Sequence, residues 1–202
     1  MRDLFIKGNN PKSPTLFMLH GTGGTEHDLI PIAKLISPES SILSVRGNVT
    51  ENGMPRFFKR LAEGVFDEED LIFRTKELTD YLNDACLQYG IDRTNIVAVG
   101  YSNGANIAAS MLFHYENVLQ GAILHHPMVP IRGLKLPDMS SLPVFIGAGE
   151  NDPICSAEET VELTELLRTA GANVNVHWER YGHHLTQSEV EAAHLWFSQK
   201  FK

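Results

Sequence analysis

The sequence predicts an α/β fold, a mostly parallel sheet of about seven strands sandwiched between two helical layers. Three observations predict it. Short continuous apolar runs recur along the chain, as strands buried on both faces require. Longer segments with apolar residues at helical spacing alternate with them. The length of 202 residues suits one domain over 1–202, with no separate cap domain beside a full core.

Residues 4–6 read as a short edge strand, and 15–19 as a compact strand running into a Gly-rich turn. Leu29, Ile32, Ala33, Leu35 and Ile36 share one helical face, and 41–45 form a strand closed by Arg46-Gly47-Asn48. The acidic run 67–70 suits a helix start, where carboxylates meet the positive end of the dipole. Leu71, Leu78, Tyr81, Leu82, Ala85 and Leu87 carry that helix to Gly90. Residues 96–99 are a strand, and Ile107, Ala108, Met111 and Leu112 mark the helix after it. Strands at 122–124 and 144–146 each run into Pro- or Gly-rich turns. Ser156 is placed to cap a helix through Val161, Leu163, Leu166 and Leu167 that stops before Gly171. Val174, Val176 and Trp178 alternate with polar residues, as in a half-exposed strand. Thr186 caps the last helix, through Val190, Ala193, His194 and Phe197, with Glu189 completing a capping box.

Composition narrows the function classes. The net charge of −8 repels phosphate backbones, so nucleic acid is an unfavourable partner. Cys86 and Cys155 are too few for a disulfide framework. No apolar run reaches membrane-spanning length, and the first residues lack the apolar stretch of a secretory signal. A cytoplasmic protein with no stable membrane association is expected.

Reactive groups in such sheets gather at the carboxyl ends of the strands. After the strand at 96–99 comes Gly100-Tyr101-Ser102-Asn103-Gly104, between a buried strand and an amphipathic helix. A sharp turn there strains the serine and lifts its hydroxyl clear of the sheet, while the glycines let strand and helix approach. A serine needs a base, and the base an orienting carboxylate. Asp152 follows the strand at 144–146, with Glu150 as its competitor. His183 follows Gly182 at the tip of the loop after 174–178. The neighbouring His184 lies nearer the last helix and is expected to pack or cap. The oxyanion formed on attack needs donors, expected from the backbone N–H of Asn103 and, in His20-Gly21-Thr22-Gly23-Gly24, of Thr22 ahead of Gly23. That loop lacks the Lys-Ser/Thr ending of a phosphate cradle. His20 reads as a structural hydrogen-bonder.

These motifs together carry a resemblance. HGTGG at 20–24, RGNVTENGMPRFF at 46–58, GYSNG at 100–104, GENDPI at 149–154 and YGHHLT at 181–186 are spread over nearly the whole chain. The sequence resembles the small carboxylesterase/phospholipase branch of the α/β-hydrolases, relatives of acyl-protein thioesterases, and most nearly its bacterial carboxylesterases. The resemblance implies Ser102 as nucleophile, Asp152 as triad acid, His183 as base, and Thr22 and Asn103 as backbone donors. It implies hydrolysis of carboxylic esters through an acyl-enzyme, with thioester hydrolysis or lysophospholipase action as the alternative, and neither metal nor organic cofactor.

Residues 46–66 are the most individual stretch. They are expected to lean over Ser102, with Met54, Phe57 and Phe58 shaping the acyl or alcohol pocket and Arg56, Lys59 and Arg60 offering charge. With no room for a large lid, short or medium acyl chains are expected. The pairs His125-His126 and His183-His184 lack metal-site spacing, since neighbours on an extended chain point apart; His126 still follows a strand end. The expected partner is a small-molecule ester, with a homodimer as the prior for assembly. A rival reading from another class is a non-catalytic binding protein on a hydrolase scaffold.

Overall fold

A computed structural model describes residues 1–201. The N-terminal strand β1 (Arg2–Ile6) is half-buried, whereas every residue of β2 (Thr15–Leu19) is buried. Helix α1 (Ile30–Ile36) and strand β3 (Ile42–Arg46) come after them. Two small antiparallel hairpins come next, β4 (Val49–Glu51) with β5 (Met54–Arg56), then β6 (Arg60–Ala62) with β7 (Val65–Phe66). Their short strands carry no clear apolar alternation, and the sequence reads there as a long connection.

Helix α2 (Glu68–Tyr89) starts where the Asp67 side chain accepts the Asp70 N–H at 3.1 Å, and ends at Gly90 with φ 67°. Leu87, placed on its apolar face by periodicity, is exposed. The second half alternates: β8 (Ile96–Tyr101), α3 (Asn103–His114), β9 (Gly121–His125), β10 (Pro143–Gly149), α4 (Ala157–Thr169), β11 (Asn173–Glu179) and α5 (Gln187–Lys200). Ser156 caps α4, as expected.

The seven long strands form one sheet in the order β1-β3-β2-β8-β9-β10-β11. Only the β1–β3 pair is antiparallel. Phe17 and Leu19 face one layer, made by α2, α3 and α4, while Leu16 and Met18 face the other, made by α1 and α5. Each large apolar side chain so buried stabilises the fold by roughly 1.5–3 kcal/mol. Among the described residues no helix is long and apolar enough to cross a membrane.

Strand register aligns the loops that carry reactive groups. Leu19 lies beside Gly100, Tyr101 beside His125, and His125 beside Gly147. The parallel strands therefore end together, and residues from β2, β8, β9, β10 and β11 leave the sheet along one rim.

Candidate active site

Ser102 occupies the single residue between β8 and α3, with φ 52° and ψ −114°. Such a backbone costs a serine about 1–3 kcal/mol and persists only where its surroundings enforce it. Its N–H donates to the His125 carbonyl at 2.9 Å, and its own carbonyl accepts the Asn106 N–H at 2.9 Å. The flanking glycines are required by contact: a Cβ on Gly104 would lie 2.0 Å from the Leu19 carbonyl oxygen, and one on Gly100 2.5 Å from that of Gly104.

The serine hydroxyl faces an imidazole. His183 Nε2 lies 2.9 Å from Ser102 Oγ, and His183 Nδ1 lies 2.7 Å from Asp152 Oδ2. A carboxylate only accepts, so Nδ1 carries the proton and Nε2 presents its lone pair to the hydroxyl. Asp152 Oδ1 accepts the N–H groups of Ile154 at 2.8 Å and Cys155 at 3.0 Å. Burial pushes the Asp152 carboxyl up, but the Cys155 and Ile154 amides and the His183 ring outweigh it and hold the pKa below the ordinary value. The loop itself is tied down, since the Tyr101 hydroxyl donates to the His183 carbonyl at 2.6 Å. Glu150, the competing acid, is exposed and pairs with Arg180 instead. His184 is exposed and neither packs nor caps; Gly182, at φ 62°, turns only His183 inward.

Behind Asp152 lies a cluster that sequence reasoning missed. His126 Nδ1 is 2.9 Å from the same Asp152 Oδ2, and its Nε2 is 3.1 Å from Glu189 Oε2. Glu189 also accepts from His125 Nδ1. Three groups with almost no solvent contact thus continue inward from the Asp152 carboxylate. The two adjacent histidines do not point apart, because His126 leaves the strand with φ 53° and both rings reach one carboxylate. Glu189 is likewise not the second half of a capping box. Its N–H donates to the Thr186 hydroxyl at 3.2 Å, but its side chain turns into the core. Burial lowers the affinity of His126 for its proton, yet the hydrogen bonds and charges of Glu189 and Asp152 outweigh burial and raise its pKa. Burial pushes Glu189 up, and the His125 and His126 contacts overcome it and hold the carboxyl low.

Gly147 makes room for this carboxylate, because a Cβ there would lie 1.8 Å from Glu189 Oε1. Gly147→Ala is expected to destabilise the fold by at least about 1–3 kcal/mol, the usual cost of forcing extra volume into a packed core. Urea unfolding checks this, and an unchanged midpoint would contradict the packing described.

His126, Asp152 and His183 are also the one group, among the described residues, whose ligand atoms approach closely enough to hold a metal, within 4.8 Å. Both Nδ1 atoms face a carboxylate oxygen, so each carries a proton and offers no lone pair to a cation. Cys155 is buried, its thiol pushed up by burial and donating to the Pro127 carbonyl at 2.9 Å. A protonated, donating thiol is inert as a nucleophile.

On the other side of Ser102 stands the β2 loop. Gly23 N–H is engaged by the Pro55 carbonyl at 2.9 Å, which favours Thr22 as the donor from this loop. Asn103 is the first residue of α3, so its N–H is among the donors that a helix start leaves without an internal partner. His20 bridges backbone groups: Nδ1 lies 2.6 Å from the Gly21 carbonyl and Nε2 accepts the Gly47 N–H at 3.1 Å. Both ring nitrogens are occupied structurally.

Ser102 and His183 open on a small cleft of about 40 Å³. Residues 46–66 do supply one wall, but through Arg56, Arg60, Gly64 and Phe66. The expected Met54, Phe57 and Phe58 do not line it. Phe57 and Phe58 are buried core residues, and Met54 packs near Gly23 at the surface. The β4–β5 hairpin causes the swap, since its turn carries Met54 outward and the residues after its end, Phe57 and Phe58, enter the buried cluster that holds Phe17 and Leu19.

A parallel sheet flanked by helices, with a strained serine at one strand end and a histidine and an aspartate at later ones, defines an α/β-hydrolase. The chain belongs to the phospholipase/carboxylesterase family, which matches residues 3–199. It is 57% identical to MhqD of Bacillus subtilis (strain 168) over 199 residues, 98% of each chain. The crystal structure of the Bacillus cereus carboxylesterase superposes with a TM-score of 0.98 and 62% identity, covering 100% of this chain and 95% of that one. Acyl-protein thioesterase 1 of Cryptococcus neoformans var. neoformans serotype D (strain JEC21 / ATCC MYA-565) is 27% identical over 173 residues, 76% of this chain and 72% of its own. The protein is accordingly an enzyme of the carboxylesterase type.

Proposed function

We propose that the protein is a serine esterase that cleaves small carboxylic esters through an acyl-enzyme. The observation that carries this reading is the 2.9 Å approach of His183 Nε2 to Ser102 Oγ, with Asp152 on the opposite ring nitrogen. His183 takes the hydroxyl proton as Ser102 attacks the carbonyl carbon. The N–H groups of Thr22 and Asn103 receive the oxyanion, each such donor lowering the barrier by roughly 2.7–4 kcal/mol. The imidazolium returns its proton to the leaving alcohol, and a water activated by the same ring releases the acid. Asp152 keeps the ring in the tautomer these steps need.

The cleft volume of about 40 Å³ supports short acyl groups. Thioester cleavage is the second reading, supported by the thioesterase among the relatives. An ester panel from acetyl to octanoyl, with matched thioesters, tests both. Labelling by a fluorophosphonate at Ser102 is expected, and an intact protein that takes up no label would reduce the chain to a scaffold without activity.

The base assignment has its own test. His183→Ala is expected to lower kcat on the order of 10⁴- to 10⁶-fold. His184→Ala, which removes an exposed ring with no side-chain hydrogen bond among the described residues, is expected to leave kcat near that of the wild type. The reverse ranking would reassign the base.

A further inference from the structure

One wall of the cleft carries positive charge that the protein only half neutralises. Arg56, at the end of β5, has a side chain just 4% exposed. Its Nε donates to the Phe58 carbonyl at 3.2 Å and its Nη1 to Thr22 Oγ1 at 2.7 Å, with Glu51 Oε2 at 3.3 Å. Arg60, at the start of β6, directs Nε to both oxygens of that same Glu51, at 3.0 and 3.1 Å. One carboxylate therefore serves two guanidinium groups. Among the described residues Arg56 Nη2 and both Nη atoms of Arg60 have no protein acceptor, and both side chains line the cleft. No aspartate or glutamate lines it.

A second donor points the same way. Asn103 lines the cleft and is buried; its Oδ1 accepts the Phe57 N–H at 2.7 Å, which fixes the amide orientation. Its Nδ2 is then a buried donor with no acceptor. Buried donors and charges are normally satisfied, and guanidinium forks match carboxylates in shape as well as charge. The overall charge of −8 makes this local surplus a contrast with the rest of the surface.

We propose that the substrate is an ester that itself carries a carboxylate a few bonds from the scissile carbonyl, a monoester of a short dicarboxylic acid or an ester of a short hydroxy acid. This rests on the esterase reading above. The carboxylate sits against Arg56 and Arg60, and the scissile carbonyl reaches Ser102. Water is consumed, and the products are the alcohol and the acid, with the anchoring carboxylate unchanged.

The test compares charged esters with neutral esters of like size. Monoethyl succinate against ethyl butanoate places the charge in the acyl half; acetoxyacetate against propyl acetate places it in the alcohol half. For at least one pair, kcat/KM is expected to favour the charged ester about tenfold or more at low salt, and less at roughly 0.5 M salt, where exposed charge is screened. Arg60→Gln is expected to bring that ratio towards one. Succinate is expected to inhibit ethyl butanoate hydrolysis competitively and far better than butanoate, a readout that needs no variant. Neutral esters equal or preferred in both pairs, a ratio unmoved by Arg60→Gln, or equal inhibition by succinate and butanoate would overturn the anionic substrate. Continued fluorophosphonate labelling and neutral-ester turnover would then show that the esterase reading itself still stands.

Discussion

Ser102→Ala is expected to lower kcat for ester hydrolysis on the order of 10⁶-fold. On the mechanism proposed here the substitution removes the attacking oxygen, and it leaves the rest of the site in place. The backbone at φ 52° is held by the His125 and Asn106 hydrogen bonds, neither of which uses the hydroxyl. The unfolding midpoint should therefore stay close to the wild-type value. Some rate above water should survive, roughly 10³-fold, because the donors proposed at Thr22 and Asn103 would still meet a carbonyl attacked by solvent. Steady-state kinetics on purified variant, with active-site titration to exclude wild-type carry-over, checks this. Retention of more than about a hundredth of wild-type turnover would move the nucleophile elsewhere.

The second large effect concerns stability. Glu189→Ala is expected to destabilise the fold by about 3–5 kcal/mol, the usual result of removing one partner from a buried ionic cluster. His125 Nδ1 would lose its acceptor and His126 would lose the one on Nε2, in a region with almost no access to water. For a chain of this length that corresponds to roughly 10 °C in Tm. The pH dependence has a definite sign. The Glu189 pKa is depressed from an ordinary 4.5, so its contribution is present above 4.5 and is lost as pH falls towards the folded value of about 2. The His126 pKa is raised from 6.5, so its contribution is full below 6.5 and fades as pH rises through the folded value. Both describe one contact, fully formed between about 4.5 and 6.5. Urea midpoints for wild type and variant should differ most in that window and converge in stronger acid. A difference that stays constant from about pH 3 to 8 would show that the loss is packing alone.

Much of this molecule is legible along the chain. The expected strands all lie in the observed sheet, because a strand buried on both faces needs a continuous apolar run wherever it occurs. Gly100-Tyr101-Ser102-Asn103-Gly104 announces itself because the turn has a steric requirement that only small residues meet. Asp152 and His183, read from where the strands end, come together with Ser102 in the structure. Phe57 and Phe58 mislead, because apolar character alone does not say whether a side chain lines a cleft or fills the core beneath it. Arg56 shows its charge in the sequence, but its near-complete burial depends on a hairpin too short to leave a periodic signal.

Glu189 is the sharpest case. Three residues after Thr186 it matches a helix-start pattern, and nothing nearby in sequence contradicts that reading. Its partners, His125 and His126, are more than sixty positions away and meet it only when α5 packs against β10, whose glycine at position 147 leaves room for the carboxylate. The long strands, the helices and the turn at Ser102 were determined by the sequence itself, since periodicity and steric tolerance act over a few neighbouring residues. The pairing of charges behind Asp152, and the choice of which loop side chains face the cleft, were decided only by tertiary packing, since burial and hydrogen-bond geometry depend on chain segments brought together by the whole sheet.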